Sequence, residues 1–162
     1  MIVYILTFVS LFITDGFLKF YMEKHLRPEE TKQIGSGRIV LKKYHNTGAM
    51  FNMGAARQPL IALVSLVFSA FVAGIYAATL GTKGKRTLKM GLSLILGGAF
   101  SNTYDRLKRR YVVDYISFRF GTPRFKPLQR IVSRFEGIVY NLSDFGIIIG
   151  AVLLVCGVVH ES

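Results

Sequence analysis

Long apolar segments are the feature that most constrains the fold of this chain. Residues 59–80 carry no charged side chain, and residues 137–159 carry only one, Asp144. A helix needs about 20 apolar residues to cross a hydrocarbon core about 30 Å thick. Segments 1–22 and 87–104 also qualify if their few charges lie near helix ends or face protein. We therefore predict an all-α membrane protein with four transmembrane helices, over about 1–22, 59–80, 87–104 and 137–159.

Composition excludes several other classes of protein. The 162 residues carry a formal charge of +12, but only 19% are charged and 51% are hydrophobic. This balance argues against a disordered chain and against a soluble nucleic-acid-binding domain. Cys156 is the single cysteine, so a disulfide scaffold is excluded and the thiol is expected to be inert. The three histidines lack metal-ligand spacing. We expect neither metal nor cofactor.

The two longer connections, 23–57 and 105–136, contain strand-like patterns. Residues 38–44 form a β-branched run after a Gly-Ser-Gly turn signal, and residues 116–120 alternate apolar and polar side chains. We expect a small β-sheet or cradle built from both connections on one membrane face. Residues 122–136 are basic and contain two prolines, which fits either an amphipathic surface helix or a mobile loop. All these parts are expected to form one domain, residues 1–162.

Charge counting leaves the orientation of the chain open. The short connection between the second and third segments holds Lys83, Lys85, Arg86 and Lys89, which favours a cytoplasmic position. The two longer connections are also rich in Lys and Arg, and the same rule would place them on the cytoplasmic side. Because each could fold as a small unit, the rule does not decide between the two orientations.

Charged and amide side chains in or beside the apolar segments are candidate functional residues, because such groups are costly in a membrane. Asp15 and Lys19 are spaced as an i, i+4 pair in the first helix. Asn102, Asp105 and Arg106 share one face at the end of the third, and Asp114 follows it. Asn141 and Asp144 are expected on one face of the fourth helix.

Two converging carboxylates could hydrolyse an amide bond without a serine, cysteine or metal. If Asp114 and Asp144 share one proton, one carboxylate can activate water while the protonated one polarises the scissile carbonyl. Spacing alone leaves other readings open. Intramembrane acids also serve proton relays and ion sites. Asp15–Lys19 fits a structural ion pair, and Asp105–Arg106 fits a charge cluster at a helix end.

Four sequence blocks resemble the lipoprotein signal peptidases (signal peptidase II) nearly end to end. Asp15-x-x-x-Lys19 matches the acidic–basic pair of the family's first helix. Residues 46–51 (NTGAMF) are similar to the family's N-x-G-A-x-F block. Residues 97–106 (GGAFSNTYDR) resemble G-G-A-x-G-N-x-x-D-R and are followed by VVDYI at 112–116. Residues 141–144 (NLSD) resemble the N-x-A-D block.

The resemblance implies an intramembrane aspartic peptidase with Asp114 and Asp144 as its catalytic pair. It implies a substrate site lined by Asn46, Gly48, Asn102, Arg106 and Asn141, with Asp15, Lys19 and Asp105 as supporting residues. The implied substrate is a prolipoprotein cleaved before its diacylglyceryl-modified cysteine. The implied location is the bacterial cytoplasmic membrane, with both termini cytoplasmic and the active site near the outer face.

We also expect contacts with anionic lipid head groups, no nucleic acid, and a monomer. The chain departs from the family pattern at Gly16, Met50, Ser101 and Ser143, and we expect these departures to alter the substrate pocket. Two alternative functions remain at this stage. One is a catalytically altered paralogue that binds lipoproteins or lipids, and the other is a small proton-relay or transport protein.

Overall fold

The computed structural model of the chain describes residues 1–48, 57–121 and 125–160. Its elements are α1 (Ile2–His25), β1 (Thr31–Ile34), β2 (Ile39–Asn46), α2 (Gln58–Leu80), α3 (Arg86–Arg109), β3 (Val112–Phe118), α4 (Lys126–Glu136) and α5 (Leu142–His160). The fold is therefore mostly helical with one small sheet, as the sequence predicts. Ala49, Met50 and Phe51 of the second sequence block lie outside the described residues, as does the basic stretch 122–124.

Helix α3 is the centre of the bundle and packs against α1, α2 and α5. In the described part of the chain, α1 and α2 are long and apolar enough to cross a membrane, and α5 contains a shorter apolar run, Leu142–Gly157. Helix α3 differs because it buries polar side chains such as Lys89, Asn102 and Asp105 against its neighbours. Its polar character thus follows from facing protein on most sides.

The last helix begins later than predicted, at Leu142 rather than near residue 137. The main chain before it is extended, and Tyr140 forms a β-bridge with Ile116. Asn141 therefore does not share a helical face with Asp144. The prediction from the sequence spacing, that both lie on one face of this helix, is wrong. Its side-chain Oδ1 accepts the Asp144 N–H at 2.9 Å, while its own N–H donates to Asp144 Oδ2 at 3.0 Å. This reciprocal pair is a capping box that fixes where α5 starts.

The three strands form an antiparallel sheet in the order β1-β2-β3. Gly35 and Gly37 adopt positive φ angles of 63° and 77° in the turn between β1 and β2, a conformation that favours glycine. Strand β2 then pairs with β3, with Tyr44 opposite Asp114 and Asn46 opposite Val112. The predicted sheet built from both long connections is thus confirmed, and it gains the four-residue edge strand β1.

The segment for which the sequence allowed either a surface helix or a loop forms the helix α4 from Lys126. Leu128 and Phe135 remain exposed on it, and Ser117 of β3 donates a hydrogen bond to the carbonyl oxygen of Glu136 at its end. Exposed apolar side chains on a basic helix are typical of elements that lie at a membrane surface.

Helices α3 and α5 touch through glycines. A Cβ atom at Gly150 would lie 2.6 Å from the carbonyl oxygen of Gly91, and one at Gly91 would lie 2.8 Å from that of Gly150. Gly98 similarly faces the carbonyl oxygen of Ser143 with no room for a methyl group. The hydrophobic effect does not drive helices together in lipid, so close van der Waals packing must do so. Small residues allow that packing because they let the helix backbones approach closely. This contact brings the start of α5 against the end of α3.

We expect Gly150→Ala to lower the free energy of unfolding by about 1–3 kcal/mol, because its methyl group meets backbone atoms that cannot move aside. Gly74→Ala is the matched control, since nothing lies within 4 Å of a Cβ at Gly74. This control should keep or raise stability, because alanine favours helices. Denaturant-induced unfolding in detergent micelles measures both variants. Equal stabilities of the two would contradict the close-packing interpretation.

Candidate active site

Strand pairing brings Asn46 next to Asp114. Asp114 lies in β3 two residues after Val112, which is the partner of Asn46, so both side chains lie on the same face of the sheet. The Asn46 amide donates a hydrogen bond from Nδ2 to Asp114 Oδ2 at 3.0 Å. Its Oδ1 accepts the N–H of Gly48 at 3.1 Å, which fixes the direction of the amide.

A second aspartate reaches the same region from the first turn of α5. Asp144 accepts the Asn141 N–H through the capping box, and it accepts Nδ2 of Asn102 at 3.1 Å through its other oxygen. Helix α3 therefore supplies one donor to Asp144, and the chain that leads into α5 supplies the other. Both donors stabilise a carboxylate at the N-terminal end of a helix, where negative charge is favoured.

Asn141 connects the two aspartates. Its Nδ2 donates to Asp114 Oδ1 at 2.7 Å and to the side-chain oxygen of Asn102 at 3.1 Å. Since the same residue is hydrogen-bonded to Asp144, a single amide side chain fixes the relative position of the two carboxyl groups. Asn141 is fully buried, so water does not compete for these bonds.

Beneath this pair lies a buried ion pair between Asp15 and Lys19, 2.7 Å apart and almost inaccessible to solvent. The Asp15 carboxylate also accepts hydrogen bonds from three hydroxyls and one backbone N–H. The donors are Ser143 at 2.5 Å, Ser101 at 2.6 Å, Tyr115 at 2.9 Å and the Leu142 N–H at 3.1 Å. This cluster, which we call the Asp15 hub, ties α1 to α3, β3 and α5.

Lys19 sets the direction of the Asn102 amide. Its ammonium group donates to Asn102 Oδ1 at 2.8 Å and lies 3.2 Å from Asp105 Oδ2. Because an ammonium group is only a donor, the oxygen of Asn102 must face Lys19. The amide nitrogen of Asn102 is thereby turned toward Asp144. Asp105 also accepts the backbone N–H of Val113 at 3.4 Å, which fastens the start of β3 to α3.

A cavity of about 290 Å³ opens beside the two aspartates. Its polar lining includes Asn46, Asn102, Arg106, Asp114 and Asp144, and its apolar walls come mainly from α2, α5 and residues 138–140. Arg106 donates through Nη2 to the carbonyl oxygen of Gly48 at 3.3 Å. Its Nε is also buried and has no hydrogen-bond partner among the described residues. The cavity therefore combines two carboxyl groups, an unused donor and an apolar surface.

Burial and the nearby charge of Asp144 raise the pKa of Asp114 to about 7, even though hydrogen bonds from Asn46 and Asn141 favour the carboxylate. Burial, followed by the negative charge of Asp15, likewise raises the pKa of Tyr115, so its hydroxyl remains a donor. A carboxyl group that titrates near neutral pH can both release and accept a proton under physiological conditions.

The structure brings together all ten residues that the sequence singled out as candidates. They lie in two connected layers. Asp114, Asp144, Asn46, Asn102 and Arg106 line the cavity, and Asp15, Lys19 and Asp105 lie beneath it. Gly48 and Asn141, which the resemblance placed in the substrate site, do not line the cavity but hydrogen-bond to residues that do. Sequence reasoning missed the roles of Ser101, Ser143 and Tyr115. The two serines were expected to alter the substrate pocket, but both bind Asp15 and neither lines the cavity.

We expect Lys19→Met to lower the free energy of unfolding by about 3–5 kcal/mol, because it leaves the Asp15 charge buried and unpaired. Asp15→Asn should be similarly harmful, whereas the double variant should cost clearly less than the sum of both. Unfolding in detergent micelles measures this double-mutant cycle. Lys32→Met, at an exposed pair, is the control and should leave the melting temperature unchanged. Strict additivity of the two single effects would contradict the coupling.

Comparisons with known proteins identify the family of this chain. Lipoprotein signal peptidase of Halothermothrix orenii is 31% identical over 153 residues, which cover 94% of this chain and 92% of the relative. That of Allorhizobium ampelinum is 33% identical over 148 residues, covering 91% and 82%. A solved structure described as a bacterial membrane enzyme has the same fold, with a TM-score of 0.80 at 17% identity, covering 99% of this chain and 90% of that one. The sequence model of signal peptidase (SPase) II matches residues 7–160, so this chain belongs to the signal peptidase II family.

Proposed function

We propose that this chain is an intramembrane aspartic endopeptidase that removes the signal peptide from diacylglyceryl-modified prolipoproteins. Membership of the signal peptidase II family supports a protease that acts on lipoproteins. The observation that carries the catalytic assignment is the pairing of Asp114 and Asp144 at one cavity, both hydrogen-bonded to Asn141. In this proposal the scissile bond lies immediately before the lipidated cysteine.

The proposed reaction needs one proton shared between the two carboxyl groups. The ionised carboxylate removes a proton from a water molecule as its oxygen attacks the scissile carbonyl carbon. The protonated carboxyl group transfers its proton to the carbonyl oxygen, so a tetrahedral diol forms and the pair still holds the one proton taken from water. When the C–N bond breaks, that proton passes to the departing amine while a diol hydroxyl returns its proton to the pair, which again holds a single proton. Like charges at short range favour this singly protonated state.

The amides and the arginine have positioning and binding roles in this proposal. Asn46, Asn102 and Asn141 hold the carboxyl oxygens and leave the remaining lone pairs toward the cavity. Arg106, which has an unused buried Nε donor, binds a carbonyl oxygen of the peptide or of the lipid ester, with Gly48 beside it. Acyl chains fit the apolar walls that α2 and α5 contribute.

The proposed topology is a single domain of four transmembrane helices, α1, α2, α3 and α5, in the bacterial cytoplasmic membrane. The sheet and α4 then lie on the extracytoplasmic face with the dyad, and both termini and the connection 81–85 lie on the cytoplasmic face. The basic character of that connection supports this orientation. We propose a monomer that contacts anionic lipids through the basic segment around α4.

Asp114→Asn and Asp144→Asn should each abolish cleavage of a lipidated precursor, because neither water activation nor carbonyl polarisation works with one carboxyl group. Glu29→Gln removes an exposed acid and is the matched control, which should cleave normally. The assay is gel-shift analysis of precursor in detergent, with circular dichroism to establish that each variant is folded. Residual turnover by either dyad variant would contradict the assignment of Asp114 and Asp144, whereas failure of the wild-type protein to cleave would favour the lipid-binding or proton-relay alternatives.

The pH dependence of the cleavage rate should also reveal whether the two carboxyl groups share a proton. With the pKa of Asp114 near 7, the pair loses its last proton as pH rises through that region, so kcat/KM should fall on the alkaline side. Asn46→Ala removes a hydrogen bond that favours the charged form, so the pKa should rise and the alkaline limb should move to higher pH. A limb that stays in place or moves to lower pH would contradict this assignment.

A further inference from the structure

The end of the bundle opposite the dyad carries a concentration of positive charge with no acidic partner among the described residues. Lys83, Lys85 and Arg86 are exposed in and just after the turn between α2 and α3, and Lys89 follows one helical turn later. No acidic residue lies in the first turn of α3, and no side chain caps it. Four cations at the positive end of a helix dipole repel both one another and the dipole.

Lys89 adds most to this excess of positive charge, because its side chain is buried, with only 5% of its surface exposed. Its ammonium group donates to the carbonyl oxygen of Thr82 and lies 5.9 Å from the centre of the Tyr4 ring. None of the salt bridges among the described residues involves Lys83, Lys85, Arg86 or Lys89. A buried ammonium group is normally paired, so an external anion would stabilise this end of the bundle.

An apolar groove of about 520 Å³ adjoins these charges. Arg86 lies at this groove, and the apolar side chains of Met1, Val3, Tyr4, Met90 and Leu153 line it. They come from α1, α3 and α5, so the groove lies where three helices meet. Tyr4 belongs both to the groove and to the surroundings of Lys89. An anion-binding cluster therefore continues directly into a surface suited to a hydrocarbon chain.

We propose that this end of the bundle binds a phospholipid with an anionic head group. Its phosphate lies at the start of α3 against Lys85 and Arg86, and one acyl chain lies in the groove between α1 and α5. Phosphate at a helix N-terminus satisfies free N–H groups and the dipole together. The adjoining apolar groove is what favours a lipid over free phosphate. The inference rests on the proposed topology, in which this end lies at the cytoplasmic leaflet, but it does not depend on the catalytic assignment.

The test compares wild-type protein with Lys85→Gln/Arg86→Gln in nanodiscs of phosphatidylglycerol or of phosphatidylcholine. Native mass spectrometry counts the retained lipid, and thermal unfolding measures stability. Each removed charge should lower retention of phosphatidylglycerol by about 5-fold, so the double variant should lose about 25-fold. In phosphatidylcholine the double variant should melt at a higher temperature than wild type, because its like charges are removed. In phosphatidylglycerol this advantage should vanish or reverse.

Matched controls separate this site from general attraction to an anionic surface. Lys32→Gln/Arg38→Gln removes the same charge from exposed positions in β1 and in the turn before β2, and it should retain phosphatidylglycerol like wild type. Glu161→Gln tests whether a carboxylate of the chain itself, rather than a lipid phosphate, is the counter-ion of the basic cluster. Equal loss of lipid in both double variants, or destabilisation by Glu161→Gln in both lipids, would overturn the proposal.

Inorganic phosphate distinguishes the two sources of the anion. Added to wild-type protein in phosphatidylcholine, it should fail to reproduce the stabilisation given by phosphatidylglycerol, and full stabilisation by it would overturn the lipid assignment. Cleavage of a lipidated precursor in detergent is measured in parallel. Lys85→Gln/Arg86→Gln should cleave at the wild-type rate there, so failure of lipid binding and failure of the peptidase proposal give different results.

Discussion

The buried ion pair between Asp15 and Lys19 is the interaction on which the site depends. Removing two charges from water costs several kcal/mol for each ion, and close attraction offsets this only when every remaining hydrogen-bonding position is used. Asp15 meets that condition with Lys19, three hydroxyls and one backbone N–H. Because these donors come from α3, β3 and α5, the requirement to satisfy one carboxylate aligns three elements against α1.

Amide side chains connect this ion pair to the proposed dyad and thereby fix the positions of its two carboxyl groups. Lys19 orients Asn102, Asn102 donates to Asp144, and Asn141 joins both to Asp114. Amides suit this work because each has a donor end and an acceptor end, so fixing one end dictates the other. They also carry no charge. The amides that hydrogen-bond to the proposed dyad can therefore fix its position without adding positive charge, which would favour ionisation of both carboxyl groups.

The lengths of the apolar segments predicted the helices, and β-branched and alternating residues predicted the sheet. Both signals lie in residues close together in sequence. The start of α5 was misplaced, because apolar residues 137–139 continue the hydrophobic run while Tyr140 pairs with β3. Asn141 and Asp144 have capping-box spacing ahead of an apolar run, so that signal was present. The roles of Ser101, Ser143 and Tyr115 could not be predicted. They depend on contacts with Asp15 that span 86, 128 and 100 residues of chain.

The same long separations bear on how the protein is made. Asp15 and Lys19 in α1 are synthesised before α3, β3 and α5, so until those elements follow each has only the other as a partner, one helical turn away. The hydroxyls of Ser101 and Tyr115 arrive much later, and that of Ser143 arrives only with α5. In the proposed topology, a half-finished chain therefore holds an incompletely solvated ion pair in the membrane. Docking of α5 completes the hydrogen bonding of Asp15 and delivers Asp144 in the same step, so the proposed dyad cannot form before α5 has been made.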